Sequence, residues 1–138
     1  MKTNKILLGG IAGGLIIFLA NGLVYEVLLK DYVTANYNQC FMKPEGEMIW
    51  WAMILSSLAL GCLLSWGFSW SNTTGVMAGA KVAGIFGILL SVSMDLQFYA
   101  FSTMFKGLSV VLVDIIVASV MLAITGAGIA WVMAMVKK

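Results

Sequence analysis

The sequence predicts an all-α protein: an integral membrane, four-helix antiparallel bundle forming one domain over residues 1–138. Three observations carry this. Apolar residues make up 62% of the 138 positions and charged residues 10%, against roughly 45–50% and about 25% in a typical globular domain. Four apolar runs, residues 6–29, 48–70, 77–101 and 108–136, each reach the ~20 residues needed to cross ~30 Å of hydrocarbon. The only proline, Pro44, lies outside all four, so no span carries the residue that most disrupts helices.

The first run follows Lys2 and Lys5. A cleaved signal peptide would begin the same way, but its apolar region is only about 7–15 residues long. This run continues through Val24 and Leu29, and Phe18 is too bulky for the −3 position of a cleavage site before Ala20. The expectation is a retained span. The connection 30–47 is polar and is expected on the outer membrane surface, with helix continuing past Asp31 and Tyr32, Tyr37 and Phe41 dipping into the interface. Pro44, Glu45 and Glu47 precede the second run. Proline tolerates a first helical turn and carboxylates favour its positive end.

Trp50 and Trp51 stand at one end of the second run and Trp66 and Trp70 at the other. Trp50 to Trp70 rises about 30 Å in a helix, the separation of the two aromatic belts of a bilayer. Trp131 fits the same pattern. Ser71-Asn72-Thr73-Thr74-Gly75 breaks the chain before the third run, and Lys106-Gly107 reads as the third span's C-terminus. With four spans, Lys2, Lys5, Lys81, Lys137 and Lys138 share one side, and Lys30, Lys43 and Lys106 the other. The excess places both termini in the cytoplasm, and the Asn72-Thr73-Thr74 sequon there is a chance match.

Composition excludes much chemistry. The chain has no histidine, and its eight basic residues are all lysine. Histidine-ligated haem or zinc, a Ser-His-Asp triad and an arginine phosphate clamp are therefore impossible. No catalytic residues, cofactor or metal site is expected, and the protein is not expected to be an enzyme. The net charge of +2, spread along the chain, gives no nucleic-acid footprint. The partners expected are the lipid bilayer and a second copy or another membrane subunit. Cys40 and Cys62 fall in unlike surroundings and are expected to stay free.

Small residues mark where helices approach closely in lipid. Gly9, Gly10, Gly13 and Gly14 do so in the first run, and Ser57, Gly61 and Ser65 in the second. The third carries Ala80, Gly84, Gly87, Ser91, Asp95 and Ser102 within about 80° of arc. The fourth has two small faces, one with Ala118, Thr125 and Gly128 below Asp114, the other with Ser119, Ala123, Gly126 and Ala130. The helix-packing candidates are Gly10, Gly14, Gly84, Gly87 and Gly126.

Glu26, Asp95 and Asp114 lie in or near hydrocarbon, where a carboxylate costs about 2.5–3.5 kcal/mol at the centre and less near the interface. All three fall in the outer half. With Asn21 they compose a candidate outward-facing polar vestibule, with Lys30 and Lys106 as charge partners. Asp95 is expected to point into the bundle with Asp114 as its neighbour. On the plainer alternative, Glu26 and Asp114 snorkel to the interface while Asp95 pairs with Lys106 or hydrogen-bonds across the bundle.

Gly9-Gly10-Ile11-Ala12-Gly13-Gly14 leading to Tyr25-Glu26-Val27-Leu28-Leu29-Lys30-Asp31-Tyr32, with Val113-Asp114-Ile115 and Ile124-Thr125-Gly126-Ala127, resembles the bacterial four-span membrane family called domain of unknown function 1761. The resemblance covers most of the chain. It implies a bacterial inner-membrane location and carries no catalytic residues. Ala20 to Val27 is also similar to the first span of the small multidrug resistance transporters. Here, however, Glu26 is too near the helix end for a midplane proton site, and the first connection is longer. The functional expectation is a non-enzymatic bundle serving as scaffold or accessory subunit. The alternative is a small cation or polar-solute transporter or channel using the carboxylate vestibule.

Overall fold

A computed structural model describes residues 2–136; Lys137 and Lys138 of the lysine count lie outside the described residues. The fold is all-α. Helices α1 (Lys2–Asn21), α2 (Lys30–Asn36), α3 (Trp50–Trp70), α4 (Val76–Phe101) and α5 (Leu108–Met135) follow in order. The described residues contain no strand, only the isolated bridge Tyr37–Phe105. Four helical stretches are long and apolar enough to span a membrane: Lys2–Leu28, Trp50–Trp70, Val76–Phe101 and Leu108–Met135.

α1 runs into a π-helical stretch, Gly22–Leu28, closed by the Leu29 amide donating to the Val24 carbonyl at 2.7 Å. α2 then continues past Asp31, as the sequence suggests. Two expected boundaries move. Pro44 starts a separate 3₁₀ turn, with the Glu47 amide on its carbonyl at 2.9 Å, and α3 begins only at Trp50. Lys106-Gly107 is not the end of the third span. α4 stops at Phe101, and Gly107 is the residue from which α5 starts. The Lys106 backbone is instead tied to Asn36, its amide on that carbonyl at 3.2 Å. α3 ends in a Schellman-type turn, the Thr73 amide reaching back to the Phe68 carbonyl at 3.0 Å. Asn72 takes the left-handed conformation (φ 52°) that this turn requires.

Packing follows the small residues. An added Cβ at Gly10, Gly13 or Gly14 would press on Cys62, Ile129 and Leu58 respectively, and one at Gly61 would strike the α1 backbone. α1 residues thus ascend as α3 residues descend. Ser57 and Ser65 are buried on the same face of α3, and the Ser65 hydroxyl donates to the Ile6 carbonyl at 2.8 Å. Along α4 the buried row is Gly79, Ala83, Gly87 and Ser91, not the expected row through Ala80 and Gly84. A Cβ at Gly84 would meet only the Ala123 methyl at 3.4 Å, an ordinary contact, whereas Gly79 lies against Gly126 and Ala130.

The two small faces of α5 have a simple cause: this helix has two neighbours. Gly126 faces Gly79 and Ala83 of α4, while Gly128 faces Ile16 of α1. α3 packs on α1, α4 on α5, and α1 on α5. Ile17, Leu64, Phe68, Leu122 and Ile129 fill the space between them. A second cluster, Val33, Tyr37, Phe105, Val110 and Val111, seats α2 and its following turn on the start of α5. The tryptophans at both ends of α3 are exposed, as the belt pattern requires. Cys40 and Cys62 are free.

Candidate functional site

Asp95 precedes the end of α4 by six residues, and Asp114 follows the start of α5 by six. At 1.5 Å per residue each lies about 9 Å from the same end of its helix. Because α4 and α5 pack along their small rows, Asp95 and Asp114 line the same cavity. Asp114 Oδ1 accepts from the Tyr25 hydroxyl at 2.7 Å and the Tyr37 hydroxyl at 2.6 Å. Hydrogen bonds to an ionised acceptor are shorter and stronger than neutral ones. Asp95 Oδ2 is buried and receives no hydrogen bond among the described residues.

Each donor arrives by a different route. Tyr25 is carried by the π-helical stretch, with Glu26, the next residue, exposed. Tyr37 follows α2 in extended backbone and is held in place from several directions. Its ring packs edge-on to Phe105, centroids 5.2 Å apart. The Asn38 amide donates to the Met104 carbonyl at 2.9 Å, and Lys106 Nζ to the Ala35 carbonyl at 2.8 Å. Tyr37 therefore turns into the protein instead of dipping into the interface, while Phe41 is exposed. Lys106 is engaged with α2, not with Asp95 as one expectation had it.

Two cavities meet at this network. The inner one, about 250 Å³, is lined by Asn21, Tyr25, Ser91, Asp95, Asp114 and Thr125 among largely apolar neighbours. The outer one, about 490 Å³, is lined by Glu26, Lys30, Thr34, Tyr37, Gln39 and Lys43. Tyr25, Met104 and Asp114 border both. Of the vestibule candidates, Asn21, Asp95 and Asp114 thus line the inner space, and Glu26 and Lys30 the outer. Tyr25 and Tyr37, the two donors to Asp114, were not among the expected site residues. Among the described residues, no group of three or more Cys, Asp and Glu is placed to hold a metal ion.

Burial pushes the Tyr37 phenol above its ordinary value of 10.0, and the hydrogen bond to Asp114 and the charge of Asp114 act in the same direction. The folded protein then holds this proton more tightly than the unfolded chain. Its contribution to stability is complete below the unfolded value and is lost as pH rises above about 10. Tyr37→Phe is expected to flatten the alkaline loss of stability relative to the native protein. Thermal unfolding followed between about pH 9 and 11 checks this, and identical slopes would show that the phenol is not the linked group.

No family model, no curated protein and no solved structure matches the chain, so the resemblance to domain of unknown function 1761 rests on the residues quoted for it.

Proposed function

We propose that this protein is a four-span antiparallel membrane bundle that binds a proton or a small cation at the Asp95–Asp114 pair, reached from the side bearing α2. The observation that carries this reading is the pair itself. Two acidic side chains line one cavity, and Asp114, which carries two hydroxyl donors, also borders the second. A carboxyl pair within the low-dielectric part of a membrane is costly unless it shares a proton, is hydrated or holds a cation. Such residues commonly lie on ion or proton paths. The outer cavity is the approach, Tyr25 and Tyr37 fix Asp114, and Asp95 faces the inner space.

The lysine distribution supports placing the chain ends in the cytoplasm and the α2 side outside, in a bacterial inner membrane. The protein is a binding or transport component, not an enzyme. A scaffold or accessory role draws on a different observation. α4 packs chiefly on α5, leaving Ile85, Leu89 and Leu96 of its outer face exposed to lipid, a second copy or another membrane subunit.

The test is reconstitution into proteoliposomes with an imposed gradient of protons, sodium, potassium or tetramethylammonium. A saturable flux of one of these is expected for the native chain, abolished by Asp95→Asn with folding intact. Equal flux in the native and Asp95→Asn proteins would overturn the assignment of the site. No flux of any probe, together with an Asp95→Asn change confined to thermal stability, would favour the scaffold role.

A further inference from the structure

The end of the bundle remote from the carboxyl pair holds a cavity of about 650 Å³, formed where all four long helices begin or end. Lys2 and Lys5 of α1 line it together with Thr73 and Thr74 of the α3–α4 turn, over apolar walls from Phe68 and Met133. Among the described residues, no acidic side chain lines this cavity. Glu26, Asp31, Glu45 and Glu47 lie toward the α2 side in sequence, and Asp95 and Asp114 form the pair. α4 starts here with no side-chain cap and no acid in its first turn, and α1 likewise has no acid in its first turn. The N-termini of α1 and α4 and the C-termini of α3 and α5 meet here, so their helix dipoles largely offset one another. Among the described residues lining the cavity, no acidic side chain offsets the two full lysine charges.

We propose that this cavity binds the phosphate of an anionic phospholipid headgroup. The lysines and the Thr73–Thr74 hydroxyls take the phosphate oxygens, and the apolar walls take the glycerol and upper acyl carbons. Basic pockets between membrane helices suit anionic headgroups on electrostatic grounds. A free phosphate ion offers the same oxygens but has nothing to place against Phe68 and Met133, which is why the lipid is the source favoured here.

The experiment uses the full chain in detergent, with retention of phosphatidylglycerol or phosphatidylcholine read by native mass spectrometry. The native protein is expected to retain phosphatidylglycerol preferentially. The double variant Lys2→Gln with Lys5→Gln should bind it about thirtyfold more weakly. Lys81→Gln removes a charge from the same end of the bundle without lining the cavity, and should change retention less than about twofold. Ala134→Trp, which narrows the cavity from its wall and leaves both lysines, should also weaken retention and serves if the double variant does not fold. Equal losses in Lys81→Gln and the double variant would reduce the effect to general surface charge and overturn the site. So would undiminished binding in the double variant or in Ala134→Trp. Displacement of the lipid by millimolar inorganic phosphate would assign the cavity to free phosphate and overturn the lipid assignment.

Discussion

Replacing Asp114 with alanine is expected to destabilise the protein by about 3 kcal/mol or more. The magnitude comes from two charge-assisted hydrogen bonds and from the hydroxyls left behind. Bonds to charged groups contribute about 1.5–3 kcal/mol each, and a buried polar group without a partner costs about 1–3 kcal/mol. Tyr25 and Tyr37 both donate to the same oxygen, Asp114 Oδ1, so one substitution strands two hydroxyls. Asp114→Asn keeps an acceptor oxygen at that position and should lose less than half as much. Thermal unfolding in detergent reads the difference, and protease cleavage within residues 38–47 reads whether the segment after Tyr37 has come loose. Equal melting temperatures for the native protein and Asp114→Ala would show that the two tyrosines do not depend on this carboxylate. Because the contacts share an atom, Tyr25→Phe and Asp114→Ala together should cost less than the sum of the two alone.

The second large effect is expected at Gly61. A methyl group there would be driven into the Gly10 carbonyl oxygen and the Gly14 backbone nitrogen. Backbone cannot rotate away as a side-chain tip can, so α1 and α3 must separate. In lipid, close approach of backbones largely replaces the hydrophobic effect as the source of association. Separation therefore removes much of what joins these helices. Gly61→Ala should cost about 3 kcal/mol, near the upper end of overpacking penalties. Gly67→Ala on the same helix meets nothing within 4 Å and should be neutral or slightly stabilising, since alanine is the better helix former by about 1 kcal/mol. Melting curves of the two variants in one detergent make the comparison, and similar losses would place the cost in the helix itself and not at the contact.

The four long helices were legible because each is an uninterrupted apolar run long enough to cross a bilayer, and the runs stop where polar residues begin. The choice of packing row on α4 was less so. Ala80 and Gly84 compose one small row and Gly79 and Ala83 another, about 100° away. Only the partner helix decides between them, through Gly126 on α5. Lys106-Gly107 misled because a cation and a glycine suit a helix exit and an approach to the next helix equally well. That Asp95 and Asp114 line one cavity follows from their equal depth once α4 and α5 are neighbours. Tyr37 did not follow from anything in the sequence, because it lies 77 residues from Asp114 on a non-helical turn, where no periodicity predicts direction. The π-helical stretch Gly22–Leu28 is equally silent, its hydropathy being that of any membrane helix.

The reach of the Asp114 network along the chain has a consequence for biosynthesis. Its oxygen serves donors made 89 and 77 residues earlier. While the ribosome is still extending the chain toward α5, Tyr25, Tyr37 and Asp95 are already synthesised and their common partner is not. The polar centre therefore closes only when the last helix is delivered, and nascent chains ending before Asp114 should present the turn after α2 to added protease until that moment.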